Sequence, residues 1–249
     1  MFDSGVGGLS ILRALSGELP AEQFVYLADS AFAPYGERDE PFVVERAHAV
    51  AQRLVDDHAI KALVIACNTA TAAAVHLLRG QLPGLPIVGV EPALKPAIAL
   101  TRTGRIGVMA TRATLASTKF AALHEALNGQ AKFLLQPCDG LADAIESADS
   151  DRIAKLCARY TSDMGRFGSE DGAIDTLVLG CTHYPFAQPQ LQALVGDAVR
   201  MVETGEPVAR QTRRLLEAGG LLKQAGTGSV RFICTGDLKA LNRAAARWL

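Results

Sequence analysis

Two stretches of this chain share one form: Leu63-Val64-Ile65-Ala66-Cys67-Asn68-Thr69 and Leu177-Val178-Leu179-Gly180-Cys181-Thr182-His183. Each is a short apolar run that stops on a cysteine and passes at once into small polar residues. A run without polar alternation reads as a strand buried on both faces of a parallel sheet. That constrains the fold strongly, because parallel neighbours must be joined by long crossovers, usually helices. The cysteine then stands at the strand's carboxyl end, where open α/β sheets hold their ligands. One such thiol in each half predicts matched sulfur groups on opposite sides of one substrate.

The rest of the chain supports this class. Strand-like runs at Phe24 to Leu27, Ala62 to Ala66 and Ile87 to Val90 alternate with helical runs at Pro41 to Asp57, Ala70 to Leu78 and Ala93 to Leu100. In the longest of these helices, Val44, Ala47, Val50, Ala51 and Leu54 mark the buried face. The alternation restarts with strands at Arg105 to Ala110, Lys132 to Gln136, Asp175 to Leu179 and Ala198 to Val202. Helical stretches at Thr114 to Leu127, Gly140 to Ser147, Asp151 to Arg166 and from Pro189 separate them. A helix at Pro207 to Glu217, a Gly-rich loop over 218–229 and a strand at Val230 to Cys234 close the pattern. Phe2-Asp3-Ser4 and Met109-Ala110-Thr111 each end a strand and lead into a helix. The expected architecture is two similar α/β domains with mainly parallel sheets and an active site in the cleft between them. The first domain takes residues 1–92 plus 206–249, and the second takes residues 93–205.

Composition narrows the function. The chain of 249 residues is 49% hydrophobic and 20% charged, enough apolar matter for a proper core. A net charge of -1 argues against a nucleic-acid partner. No apolar stretch reaches membrane-spanning length, and no signal-peptide pattern precedes Asp3, so the expected location is cytoplasmic. The five cysteines are Cys67, Cys138, Cys157, Cys181 and Cys234. Their odd number and the lack of Cys-x-x-Cys spacing disfavour a disulfide framework, a zinc ribbon and thiol-disulfide chemistry. Cys138, Cys157 and Cys234 read as packing residues. His48, His58, His76 and His124 fall in helical stretches and read as surface or interface residues.

A thiol becomes a competent base when its surroundings bring its pKa towards neutrality, and a helix N-terminus helps. Cys67 and Cys181 both stand at predicted strand-to-helix junctions. His183, two residues beyond Cys181, can polarise that thiol or move protons with it. Nothing nearby supplies the remaining ligands of a metal site, so none is expected. The turn Asp3-Ser4-Gly5-Val6-Gly7-Gly8 can cradle an anion on backbone amides. It matches no nucleotide-binding fingerprint. Asp3 and Ser4 serve there either as helix caps or, for Asp3, beside a site thiol, orienting a proton or an ammonium group. With the loop around Tyr35 and Gly36, these strand ends gather Ser4, Tyr35, Asn68, Thr69 and Thr182. That set suits a small polar ligand held by neutral donors. As nucleophiles two facing thiols are redundant, but as bases on opposite faces of a carbon acid they are complementary. One removes a proton as thiolate while the other delivers one as thiol, and a stereocentre inverts.

The motifs Phe2-Asp3-Ser4-Gly5-Val6-Gly7-Gly8-Leu9, Tyr26-Leu27-Ala28-Asp29, Pro34-Tyr35-Gly36, Ala66-Cys67-Asn68-Thr69-Ala70, Gly89-Val90-Glu91-Pro92-Ala93 and Leu179-Gly180-Cys181-Thr182-His183-Tyr184-Pro185 resemble those of glutamate racemases. The resemblance spans nearly the whole chain. It implies cofactor-independent interconversion of L- and D-glutamate, supplying D-glutamate for peptidoglycan. By matching positions, Cys67 is the base towards D-glutamate and Cys181 towards L-glutamate. Asp3 and His183 assist the thiols, and Glu146 matches a further assisting carboxylate. Asp3, Ser4, Tyr35, Gly36, Asn68, Thr69, Thr182 and His183 correspond to substrate contacts. Family members are often dimers, which admits a homodimer here, although no interface patch is visible in the sequence.

The nearest competing class is an aspartate racemase, also a two-cysteine enzyme. Its second motif usually continues Cys-Thr-Glu, whereas this chain has Cys181-Thr182-His183. A one-cysteine decarboxylase of the same superfamily is disfavoured by the second thiol. A non-catalytic amino-acid-binding or regulatory protein on the same scaffold is the alternative of a different kind.

Overall fold

Strand and helix alternate from the first residues of the computed structural model, which describes residues 1–249. In chain order the elements begin β1 (Phe2–Asp3), α1 (Leu9–Glu18), β2 (Gln23–Ala28), α2 (Glu40–His58), β3 (Leu63–Ile65), α3 (Asn68–Gln81), β4 (Ile87–Gly89) and α4 (Leu94–Leu100). They continue with β5 (Arg105–Ala110), α5 (Arg112–Ala116), α6 (Thr118–Glu125), β6 (Lys132–Pro137), α7 (Leu141–Glu146), α8 (Ser150–Met164) and β7 (Thr176–Leu179). The last are α9 (Gln188–Val195), β8 (Arg200–Val202), α10 (Gly205–Ala218), β9 (Ser229–Cys234) and α11 (Leu238–Trp248).

The strands form two wholly parallel sheets, so the protein has two α/β domains. The first sheet has the order β4-β3-β1-β2-β9 and the second the order β6-β5-β7-β8. Read from the opposite edge, the second sheet runs β8-β7-β5-β6, the same path as β4-β3-β1-β2. Only β9, which pairs with β2 along its full length, has no counterpart. In each sheet the chain leaves its first strand to one side and returns on the other. That reversal puts a crevice between β1 and β3 in one sheet and between β5 and β7 in the other, the places where such sheets bind ligands. The equivalence extends to hydrogen bonds: Ala66 N donates to Phe2 O at 2.8 Å, and Gly180 N donates to Met109 O at 2.7 Å.

Burial follows the sequence pattern. All residues of β3 and β7 are buried, as unalternating apolar runs require. In α2 the buried face is Val43, Ala47, Val50, Ala51 and Leu54, so Val43 replaces the expected Val44. Asp39 caps this helix, accepting from Phe42 N at 3.2 Å, and Pro41 lies in its first turn, where no amide is needed. The helix expected over Thr114 to Leu127 is instead two. Ser117 adopts an extended conformation, ends α5 and caps α6, with its Oγ accepting from Phe120 N at 3.1 Å. The amphipathic α11 is an addition to the predicted elements. Leu241 and Ala245 lie buried along it, and Trp248 stacks on Phe186 with ring centroids 4.3 Å apart. No helix is long and apolar enough to cross a membrane.

Candidate active site

The turn after β1 is a set of close approaches. A Cβ on Gly5 would stand 2.2 Å from Glu146 Oε2, and one on Gly7 would stand 2.3 Å from His183 Nδ1. On Gly8 it would meet Asp3 Cβ at 2.7 Å. The glycines therefore let the first domain's turn touch side chains of the second, which explains them better than an anion cradle. Tyr26 supports the turn from below by donating its hydroxyl to Gly5 O at 2.6 Å. Asp3 is fully buried, and its Oδ2 accepts from Gly8 N at 2.6 Å. Its Oδ1 is buried without a hydrogen-bond partner. Burial pushes the Asp3 carboxyl up to about 6, against the pull of the nearby His183.

Cys67 ends β3 and caps α3, its Sγ accepting from Ala70 N at 3.4 Å. Thus Asn68 and Thr69 fall in the helix's first turn. The thiol also reaches Ser4 Oγ at 4.0 Å. Burial, then the charge of Asp3, raise the Cys67 pKa well above the usual thiol range, and Cys181 adds to the effect. These effects favour the protonated thiol over the thiolate. Asn68 donates its side-chain amide to Val90 O at 3.4 Å, but its Oδ1, like Asp3 Oδ1, is buried without a donor. Two orphaned acceptors beside a thiol are expensive unless a ligand satisfies them.

The second cysteine has a different companion. Cys181 Sγ lies 3.8 Å from His183 Nδ1, and His183 Nε2 lies 2.8 Å from Glu146 Oε2. Burial alone would lower the His183 pKa. Hydrogen bonds to Cys181 and Glu146 outweigh it and hold the imidazole well above its ordinary value. The same Glu146 oxygen accepts from Val6 N at 2.8 Å. Thr182 is fixed through its carbonyl, which accepts from Ser10 Oγ at 2.8 Å. The Cys181 loop is thus fastened to the first domain at Val6 and Ser10.

Tyr35 and Gly36 lie in a single helical turn, Tyr35–Glu37. Tyr35 is buried and packs in one cluster with Cys67. Its hydroxyl donates to Asp29 Oδ2, so it is not a free donor to the site, contrary to the expectation for this hydroxyl. Gly36 lies against Thr111, where a Cβ would come within 2.6 Å of Cγ2. Thr111 and Thr114, absent from the sequence prediction, form a ring of hydroxyls with Thr69. The oxygen separations are 2.9 Å for Thr111 to Thr114, 3.1 Å for Thr69 to Thr111 and 3.4 Å for Thr69 to Thr114. The signal for them was present in the equivalence of Met109-Ala110-Thr111 with Phe2-Asp3-Ser4.

The residues predicted for the site therefore fall into two connected groups. Asp3, Ser4, Tyr35 and Asn68 gather near Cys67, with Thr69 and Gly36 beyond them against Thr111, while Thr182 and His183 follow Cys181 and Glu146 joins them through His183. Both thiols are only 6% exposed. A cavity of about 590 Å³ opens beside Glu146 and Val6, but neither thiol lines it. The remaining cysteines and histidines lie outside both groups. Cys138 and Cys157 are buried in the core, and Cys234 ends β9 at 2.9 Å from Ser30 Oγ. No group of three or more His, Cys, Asp or Glu side chains is arranged to hold a metal ion.

Known proteins share this architecture and much of this sequence. The family model for Asp/Glu/hydantoin racemases matches residues 9–212. The glutamate racemase of Ralstonia nicotianae is 47% identical, over all of this chain and 88% of that protein. The crystal structure of a glutamate racemase isoform from Bacillus anthracis superposes with a TM-score of 0.86 at 30% identity, covering 99% of this chain and 91% of that one. The Escherichia coli glutamate racemase, solved with L-glutamate and the activator UDP-MurNAc-Ala, gives a TM-score of 0.84 at 29% identity, covering 99% and 93%. With a thiol at the reversal point of each of two like sheets and relatives of this closeness over its full length, the chain belongs to the Asp/Glu/hydantoin racemase family.

Proposed function

We propose that this protein interconverts L-glutamate and D-glutamate by moving a proton at Cα, with Cys67 and Cys181 as the two bases. The observation that carries the reading is the repeated one. Two sheets of the same topology each end a thiol-bearing strand at their reversal point, and hydrogen bonds from one domain to the other surround the pair. We likewise assign residues 1–92 plus 206–249 to one domain and 93–205 to the other, with the site in the cleft between them.

In the direction from D-glutamate, the Cys67 thiolate takes the Cα proton and the Cys181 thiol gives its proton to the opposite face. One C–H bond breaks as an S–H bond forms, and the reverse happens across the carbon. From L-glutamate the roles exchange. The orphaned oxygens of Asp3 and Asn68 suit the substrate ammonium. Its positive charge also offsets the burial and the Asp3 repulsion that raise the Cys67 pKa. A charged His183 stabilises negative charge on Cys181. Ser4, Thr69, Thr182 and the turn at Tyr35 and Gly36 complete the polar wall, and donors preorganised there stabilise charge developing on the reacting carbon and its carboxylate. Glutamate is preferred over aspartate because the full-length relatives are glutamate racemases and His183 follows Cys181-Thr182. The D-glutamate formed supplies peptidoglycan synthesis.

The test is turnover of each glutamate enantiomer in deuterium oxide by the purified protein. Deuterium is expected at Cα of the inverted product. Cys67→Ser and Cys181→Ser are each expected to lose about 10²- to 10⁴-fold in racemisation. Full activity in either variant would overturn the two-base mechanism, and turnover of aspartate alone would reassign the substrate.

A further inference from the structure

Asp29 takes no part in the chemistry just described, yet it is fully buried within reach of the site. It follows β2, and its backbone amide donates to Asp3 O at 2.9 Å. Its carboxylate accepts from three donors. The Tyr35 hydroxyl and Arg46 Nε share Oδ2, the latter at 3.0 Å, and Arg46 Nη2 reaches Oδ1 at 3.0 Å. The Arg46 guanidinium lies 3.6 Å from the centre of the Phe32 ring. Such a two-pronged pair, capped by an aromatic face, is a geometry that lysine cannot reproduce. It neutralises a charge that would otherwise stand unpaired in the interior.

Tyr35 has one hydroxyl proton, and Asp29 takes it. Burial and the neighbouring Asp29 also hold the phenol far above its usual pKa, so the proton stays on the oxygen. What the turn can offer the site is then a phenolic acceptor, the ring and the backbone of Gly36. The turn is also held by the burial of the Tyr35 ring in the core cluster around Cys67, by its packing on Thr111 and by Glu37, whose Oε1 accepts from Gly140 N at 3.1 Å across to the second domain. Of the groups that hold it, Asp29 is the one that engages the hydroxyl.

We propose that Asp29, braced by Arg46, is a positioning residue that acts through Tyr35: it fixes the Tyr35–Gly36 turn against the substrate and sets the phenol as an acceptor. The inference rests on the racemase reading, in which that turn touches the substrate. Its effect belongs to binding, because Asp29 meets none of the reacting atoms. Asp29→Asn and Tyr35→Phe are each expected to raise KM about tenfold for both enantiomers while kcat changes less than about threefold. The double variant should be no worse than the poorer single, since both changes break one link. Arg46→Lys, the milder change, should show the same KM-selective loss in smaller degree. In the wild-type protein the Tyr35 hydroxyl proton should give a slowly exchanging, downfield proton resonance that disappears in Asp29→Ala.

Additive losses in the double variant, or a lowered Tm with unchanged KM in Asp29→Asn and Arg46→Lys alike, would overturn the proposal and leave Asp29 a structural acid. Wild-type turnover of glutamate is measured alongside. Absence of that turnover would remove the racemase reading and this proposal together. Turnover with additive losses would remove this proposal alone.

Discussion

Glu146 Oε2 stands 2.8 Å from His183 Nε2 and accepts, at the same distance, the amide of Val6 from the other domain. The far side of the imidazole faces Cys181 at 3.8 Å. A carboxylate at the end of α7 is thereby linked through one ring to a thiol at the end of β7. The link raises the His183 pKa although burial opposes it. A raised pKa stabilises the fold fully below the ordinary histidine value, and the gain fades as pH rises through the raised one. Glu146→Gln should lower that value. The alkaline limb of kcat/KM should move to lower pH. The variant's loss of stability, about 1.5–3 kcal/mol for a hydrogen bond to a charged group, should be largest below the ordinary histidine value and shrink as pH rises through the raised one. An unmoved alkaline limb would separate Glu146 from the chemistry.

Asp3 carries the opposite cost. Its carboxyl is raised to about 6 because it is buried, so the folded state binds this proton more tightly than the unfolded chain does. Stability from this group is complete at acid pH and falls as pH rises between the ordinary carboxylate value and about 6. Above that range the buried charge costs roughly 3 kcal/mol. Asp3→Asn retains an oxygen for Gly8 N and drops the charge. Its Tm should exceed that of the wild type near pH 8 and match it near pH 4, while its racemisation falls about 10²-fold. A variant less stable than wild type at the higher pH would contradict this account of the site's strain.

The two cysteine variants should be distinguishable even though both fail to racemise. Enantiomers have equal free energies, so kcat/KM must be the same in both directions for any variant. That ratio therefore hides which base was lost, and a partial reaction exposes it. Cys181→Ser keeps the base assigned to D-glutamate, and Cys67→Ser keeps the base assigned to L-glutamate. In deuterium oxide the first should exchange the Cα proton of D-glutamate only, and the second that of L-glutamate only. Exchange in the other enantiomer would reverse the assignment of faces.

The repeated cysteine run made the parallel sheets legible, because unalternating strands such as Leu63–Ile65 and Thr176–Leu179 can be buried only between layers of helices. The same repeat pointed to both thiols. Other features depend on tertiary partners. The break at Ser117 is invisible in a periodic run, since serine caps a helix as readily as it sits on one's surface. The α11 stripe of Leu241, Ala245 and Trp248 was readable, with Asp237 as its cap, but it lies beyond the last strand, where no crossover demanded a helix. The direction of the Tyr35 hydroxyl could not be read from the Pro34-Tyr35-Gly36 turn. It is set by Asp29 and Arg46, which arrive from β2's end and α2.

Gly7 tests whether the turn's glycines serve contact between the domains. An added Cβ there would stand 2.3 Å from His183 Nδ1 and 2.7 Å from Thr182 Oγ1. Neither neighbour is free to move away. The ring is tied to Glu146, and the Thr182 backbone is tied to Ser10. Gly7→Ala should therefore cost about 1–3 kcal/mol by overpacking. Displacing His183 from Cys181 should also cut kcat about 10²-fold. Gly17 in α1 provides the contrast, because a Cβ there meets nothing within 4 Å. Gly17→Ala should raise stability by about 0.5–1 kcal/mol through helix propensity and leave turnover unchanged. The comparison is made by thermal unfolding and by steady-state kinetics on both variants. Equal behaviour of the two would show that the turn at Gly7 has room to spare and that His183 is not seated on it.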